Sequence, residues 1–179
     1  MLRCVNAIPV LAKFASTGMI GPVHCGASLN EIAAVLGPPW GIGRVSKRRR
    51  WPHLFSYGDV ELCVCRCRRV TSMSIQTWRD RIELPQPGSK DAVSHPGDLT
   101  LAAVTAGLDA IGCPTQPVTH HQPPGQLTLR AEPFGATFTF QAHAVPELLL
   151  ARVSSWTAVH DCTSPAEDVP DDGFGRSLT

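Results

Sequence analysis

Cys63, Cys65 and Cys67 alternate along a segment that reads as a strand, and three thiolates on one strand face would suit a soft metal, with His53, His120 or His121 as a fourth ligand. Structural zinc more often takes cysteine pairs two to four residues apart on a knuckle, and a cysteine without metal behaves as a small buried apolar group. Packing is therefore the expected role of these thiols, and no metal ligand or cofactor is assigned.

A second concentration of chemistry is the run Lys47, Arg48, Arg49 and Arg50, flanked by Trp40 and Trp51 and followed by Arg66, Arg68 and Arg69. Guanidiniums beside indoles grip phosphates and stack on bases, but they are also the composition of protein-binding hot spots. The same charges serve, in the plainest reading, to keep a strand edge from pairing. An acidic face on a protein partner is preferred over nucleic acid, and Trp40, Lys47, Arg48, Arg49, Arg50 and Trp51 are taken as the candidate partner-binding residues.

No catalytic set emerges. His120, His121, His143 and His160 are candidate general bases, yet no nucleophile motif and no phosphate-binding glycine loop accompanies them. Glu31 completes a capping box with Ser28, so its carboxylate is expected to serve a helix end rather than a reaction. The chain is not expected to be an enzyme.

What must position these groups follows from composition. The 179 residues are 43% hydrophobic and 17% charged, enough apolar surface to fold without staples. The formal net charge is +1, and Glu167, Asp168, Asp171 and Asp172 crowd the end of the chain, so nothing global argues for a polyanionic partner. No window approaches the roughly 18 uninterrupted apolar residues of a spanning helix. The apolar start is interrupted by Pro9 and Lys13 and lacks a small-x-small cleavage site, so an export signal is not expected. Seven cysteines form an odd set without a CxxC pair, which fits a reducing cytoplasm. Abundant Ala, Gly, Pro, Arg and Val with few Lys points to a bacterial coding sequence of high GC content.

Along the chain, Ser28-Leu29-Asn30-Glu31 opens a helix whose Leu29, Ile32, Val35 and Leu36 share a face and which stops at Gly37-Pro38-Pro39. Gly58-Asp59 reads as a turn between Leu54 to Tyr57 and the alternating Val60, Leu62 and Val64, and Val70 to Thr77 alternates again through Met73 and Ile75. Three prolines and two glycines within residues 85 to 97 suggest a linker. Asp98 or Thr100 then caps a second helix carrying Leu101, Val104, Leu108 and Ile111, followed by strands through Leu127 and Leu129, Phe138 and Phe140, and Leu149 to Val153.

The strings Gly26-Ala27-Ser28-Leu29-Asn30-Glu31-Ile32, Leu36-Gly37-Pro38-Pro39 and Phe55-Ser56-Tyr57-Gly58-Asp59-Val60-Glu61-Leu62 resemble small bacterial proteins in which a helix stop of this kind precedes a Tyr-Gly hairpin. Among these are the β-lactamase inhibitory proteins, with tandem helix-plus-four-strand units, the SmpA/BamE class of outer-membrane assembly lipoproteins, with one, and short cytoplasmic immunity partners of toxins. The resemblance implies a non-enzymatic protein whose sheet faces bind another protein.

The expectation is thus an α+β protein of two tandem units, each a helix packed on a three- to four-stranded antiparallel sheet. It has an extension at residues 1 to 20, a first unit at 21 to 84, a linker at 85 to 97, a second unit at 98 to 162 and a disordered acidic tail at 163 to 179. The expected function is immunity- or inhibitor-like binding of a protein partner, a toxin for instance, in the cytoplasm and away from membranes. A nucleic-acid- or metal-binding regulator is the alternative.

Overall fold

In a computed structural model, residues 6 to 44, 51 to 86, 89, 91 to 119, 122 to 142, 147 to 156 and 162 are described. Among them the chain forms an α+β structure of three helices, α1 (Ile8–Thr17), α2 (Leu29–Leu36) and α3 (Leu101–Ala110), with predominantly antiparallel strands. None of these helices is long and apolar enough to cross a membrane. The strands are β1 (Met19–Ile20), β2 (Val23–His24), β3 (Gly41–Arg44), β4 (His53–Tyr57), β5 (Val60–Val64), β6 (Val70–Gln76), β7 (Arg81–Pro85), β8 (Ala92–Pro96), β9 (Thr115–Pro117), β10 (Gln126–Ala131), β11 (Thr137–Ala142) and β12 (Leu148–Trp156).

Eight of these strands make one sheet in the order β3-β4-β5-β6-β12-β11-β10-β9, and β1-β2 and β7-β8 are separate hairpins. The seam between the two halves is the antiparallel pair β6 and β12, in register from Arg152 against Gln76 to Trp156 against Ser72. Thr77 extends that seam by a backbone bond to Ala151 (3.1 Å) and a hydroxyl bond to the Leu150 carbonyl (2.8 Å). Both sheet edges are short, and each is blunted, β3 by two glycines and an exposed Arg44, β9 by Pro117.

Local chemistry explains where the helices begin. Ser28 Oγ accepts the Asn30 amide (3.3 Å), while Glu31 Oε2 accepts the Ser28 amide (3.1 Å), completing the expected capping box of α2. Thr100, not Asp98, caps α3, with its hydroxyl accepting from the Ala103 amide (3.2 Å). Gly37 ends α2 with φ of 80°, a value a side chain would resist.

One core runs through the molecule. Leu11 and Phe14 of α1, Leu29, Ile32 and Leu36 of α2, Val104 and Leu108 of α3 and Ile82 and Leu84 of β7 all join the inward strand residues, including Phe55, Val60, Leu62, Met73, Ile75, Phe138, Phe140 and Val153. Fully burying each such side chain contributes roughly 1.5–3 kcal/mol. Close approach of α1 to α3 depends on Gly107, where a Cβ would meet Cγ2 of Ile8.

Several expectations need correction. The N-terminal stretch is not an extension, because α1 occupies it: Pro9 sits in the first turn, where no amide donor is required, and Lys13 lies on the exposed side. The supposed linker contains β8, paired residue for residue with β7 from Pro85 against Ala92 to Arg81 against Pro96. That hairpin is fastened to the main sheet by Asp59, whose Oδ2 accepts the Glu83 amide (2.7 Å) and whose own amide donates to the Glu83 carbonyl (2.9 Å). Val35 and Ile111, expected among the apolar residues their helices turn inward, are instead 46% and 48% exposed, Ile111 standing just past the end of α3. The tail at 163 to 179 lies outside the described residues.

Candidate functional site

Because side chains alternate across a strand, the eight-stranded sheet has two faces of opposite character. The inward parity carries the core beneath the helices. On the outward parity, cross-strand register gathers polar groups into rows. One row runs Leu54, Cys63, Ser72 and Trp156; a second runs Ser56, Glu61, Ser74, Ser154 and Thr137; a third runs Gln76, Arg152, Thr139 and Thr128. Gln141 and Gln126 face each other beyond the third.

These rows are cross-linked by side-chain hydrogen bonds. Gln76 Nε2 donates to Glu61 Oε2 (2.8 Å), Thr128 and Thr139 hydroxyls lie 3.4 Å apart, and Thr137 Oγ1 and Ser154 Oγ are 3.0 Å apart. Trp156 and Trp78 stand out of this surface, 57% and 59% exposed, and the Arg79 guanidinium lies 5.1 Å over the Trp78 ring. Arg152 lines two shallow depressions on this face, one bounded by Leu54, Glu61, Ser74 and Trp156, the other by Gln76, Trp78, Gln126 and Gln141. A polar surface with two exposed indoles and a guanidinium is suited to recognition.

The predicted binding residues are distributed differently. Lys47, Arg48, Arg49 and Arg50 lie outside the described residues, as do His120, His121, His143 and His160. The two indoles of that group are at opposite ends of the β3–β4 hairpin: Trp40 donates its amide to the Ser56 carbonyl (2.9 Å), beside Gly41 paired with Ser56, whereas Trp51 precedes His53, which is paired with Arg44. Trp40 meets Tyr57 edge-on with ring centroids 5.9 Å apart, and Trp51 stacks on His53 at 4.3 Å. Glu31 serves as the cap of α2.

The three alternating cysteines do not share a strand face. Strand β5 ends at Val64 after a register shift at Cys63, and Cys65 to Arg69 form a tight turn closed by the Arg68 amide on the Cys65 carbonyl (2.9 Å) and the Cys65 amide on the Arg69 carbonyl (3.0 Å). Arg68 takes φ of 61° to make it. Cys63 is left on the open face, while the turn brings Cys65 Sγ within 2.7 Å of Cys67 Sγ. Cys162, from the far end of the chain, completes a triangle, its Sγ 3.6 Å from that of Cys67 and all three sulfurs within 4.8 Å of one another. Burial, reinforced by the neighbouring thiols, pushes the Cys65 thiol up to about 12.

Sequence reasoning missed Cys162 and the open face for different reasons. Nothing local ties Cys162 to a turn so distant in the chain. The open face did leave a signal: Glu61, Cys63, Ser72, Ser74 and Gln76 are the residues that alternate with the core positions. Compared with known protein families, curated proteins and solved structures, the chain matches none.

Proposed function

We propose that this chain is a non-enzymatic binding protein that occludes a protein partner with the open face of its eight-stranded sheet, in the manner of an immunity or inhibitor protein. The observation that carries the proposal is the contrast between the two faces: every described helix joins the core on one side, and the other presents ordered polar rows around Trp156, Arg152 and Trp78. Aromatic and arginine side chains on a surface already fixed by hydrogen bonds lose little entropy on docking.

The order of elements supports the same reading. Helix α2 is followed by β3 to β6 in one half of the sheet and α3 by β9 to β12 in the other, with β6 and β12 meeting at the centre. A helix-plus-four-strand unit used twice is the architecture that the resemblance to inhibitor proteins implies. A nucleic-acid role draws less support from this face, where Arg152 shares a depression with the acidic Glu61. The encounter is proposed for a bacterial cytoplasm, in keeping with the composition and the odd cysteine set.

A co-purification from the native host tests this directly. Replacing Trp156 with Ala and Arg152 with Glu together should reduce capture of the partner at least about tenfold, because hot-spot truncations cost on the order of 2 kcal/mol or more. A Lys13→Glu control, on the helical side, should leave capture unchanged. A separate Arg48, Arg49 and Arg50 to Glu variant divides the basic run from the face. Loss in that variant alone, with the face variant binding normally, would move the interface to the loop and defeat the proposal.

A further inference from the structure

We propose that Cys65, Cys67 and Cys162 form a three-thiolate site for a soft d10 cation, Zn2+ or Cu+. Two of the ligands lie two residues apart on the β5–β6 turn, and the third is delivered from a segment 95 residues further on. Arg66 helps to hold the third beside the others, its Nη2 donating to the Cys162 carbonyl oxygen at 2.5 Å. Thus the turn supplies both the thiols and the clamp for their distant partner.

The size of the triangle fits such a cation. With metal–sulfur bonds of about 2.3 Å, sulfurs in tetrahedral or trigonal coordination stand roughly 3.8–4.0 Å apart. The Cys67–Cys162 separation of 3.6 Å is already close, and the whole set falls within 4.8 Å. The Cys65–Cys67 pair at 2.7 Å must open by about 1 Å, an adjustment available at a turn whose Arg66 and Arg69 are solvent-exposed.

Charge and access point the same way. Three thiolates around Zn2+ carry a net charge of −1, and around Cu+ of −2. Arg66, Arg68 and Arg69 place three positive charges within the same turn to offset it. Cys65 is buried, whereas Cys67 and Cys162 are partly exposed, so a cation can enter from one side onto a floor already fixed by the backbone. Among the described residues no histidine or carboxylate joins the group. Three thiolates alone make a three-coordinate site for Cu+, whereas Zn2+ would take a fourth ligand beside them. Cys63, in the outward row between Leu54 and Ser72, and Cys113, whose Sγ donates to the Glu132 carbonyl at 3.0 Å, stand outside it.

The test uses the reduced full-length chain under anaerobic conditions, titrated separately with Zn2+ and Cu+ against chromophoric chelators and with Co2+ as a spectroscopic probe. One equivalent of Zn2+ or Cu+ per chain is expected. With Co2+, near-ultraviolet sulfur-to-metal charge-transfer absorbance is expected if the site accepts divalent ions, and Cu+ binding without it assigns the three-coordinate form. Cys67→Ser and Cys162→Ser should each weaken binding by more than about tenfold, since even groups that only support a metal ligand cost 10- to 100-fold. Both positions are partly exposed, so these variants keep the fold in circular dichroism where Cys65→Ser need not. Cys63→Ser and Cys113→Ser should bind as the parent does. Failure to take up either cation, or loss in Cys63→Ser equal to that in Cys162→Ser, would overturn the assignment.

Discussion

The two faces of the central sheet are made from the same strands, residue by residue in alternation, and they differ in almost every property. Along β6, Met73 and Ile75 are buried while Ser72, Ser74 and Gln76 line the opposite surface. Along β12, Val153 and Ser155 are buried while Arg152 and Trp156 are exposed. A one-residue slip would exchange the faces, so the hydrophobic parity fixes the register and the register in turn assembles the polar rows. The recognition surface proposed for this protein is thus a consequence of the core: its residues are adjacent only because their alternate neighbours had to be buried together.

Substitution of Phe138 is the strongest way to break the contrast. Its ring is fully buried between Val153 and Leu129 in cross-strand register. Phe138→Ala should cost about 3–5 kcal/mol through lost transfer energy and the cavity left behind. Chemical denaturation, read by the shift in midpoint at constant slope, measures it. A loss under 1 kcal/mol would mean that the sheet does not rely on this face for its core.

The part of this arrangement that could be read from the sequence was the part encoded locally. The Ser28–Glu31 capping box, the Gly58-Asp59 turn and the alternation from Val60 to Val64 all depend on neighbours a few residues away. By contrast, the pairing of β6 with β12 and the arrival of Cys162 beside Cys67 join residues about half the chain or more apart, and no local preference encodes them. Helix α1 went unread because Pro9 was taken as an interruption when its position in the first turn makes it compatible with a start. The β7–β8 hairpin was hidden in the same manner. Its prolines stand at strand ends, Pro85 and Pro96, and the bonds that fasten it come from Asp59 in another turn.

A middle case tests the boundary between the faces. Tyr57 belongs to the covered parity, yet its hydroxyl donates to the Gly37 carbonyl at 3.0 Å, linking β4 to the end of α2. Tyr57→Phe should cost about 1 kcal/mol at neutral pH, the usual net value of one hydrogen bond. Burial pushes the phenol up to about 12, above the ordinary value near 10. The folded state therefore holds this proton more tightly than the unfolded chain. The resulting stability is fully present below pH 10 and is lost as the pH rises from about 10 through about 12. Thermal melts across that window should fall more steeply for the parent than for Tyr57→Phe. Parallel curves for the two proteins would show that the phenol is not held protonated by the fold.

The smallest effect is expected on the open face, and it sharpens the comparison most. Glu61 accepts from Gln76 Nε2 at 2.8 Å and from Ser74 Oγ at 3.4 Å, in the middle of the second polar row. Glu61→Gln keeps an amide oxygen where the carboxylate oxygen stood, so both donors retain an acceptor and only the charge is removed. Because the group is partly solvated, that charge contributes little, and the change in stability should stay within about 0.5 kcal/mol. If the face exists for recognition, the same substitution should still alter capture of the partner, since charge that is nearly silent in the free protein becomes consequential once a second surface excludes water from it. A loss of stability above about 1 kcal/mol would instead make the rows structural, holding the sheet flat rather than meeting a partner.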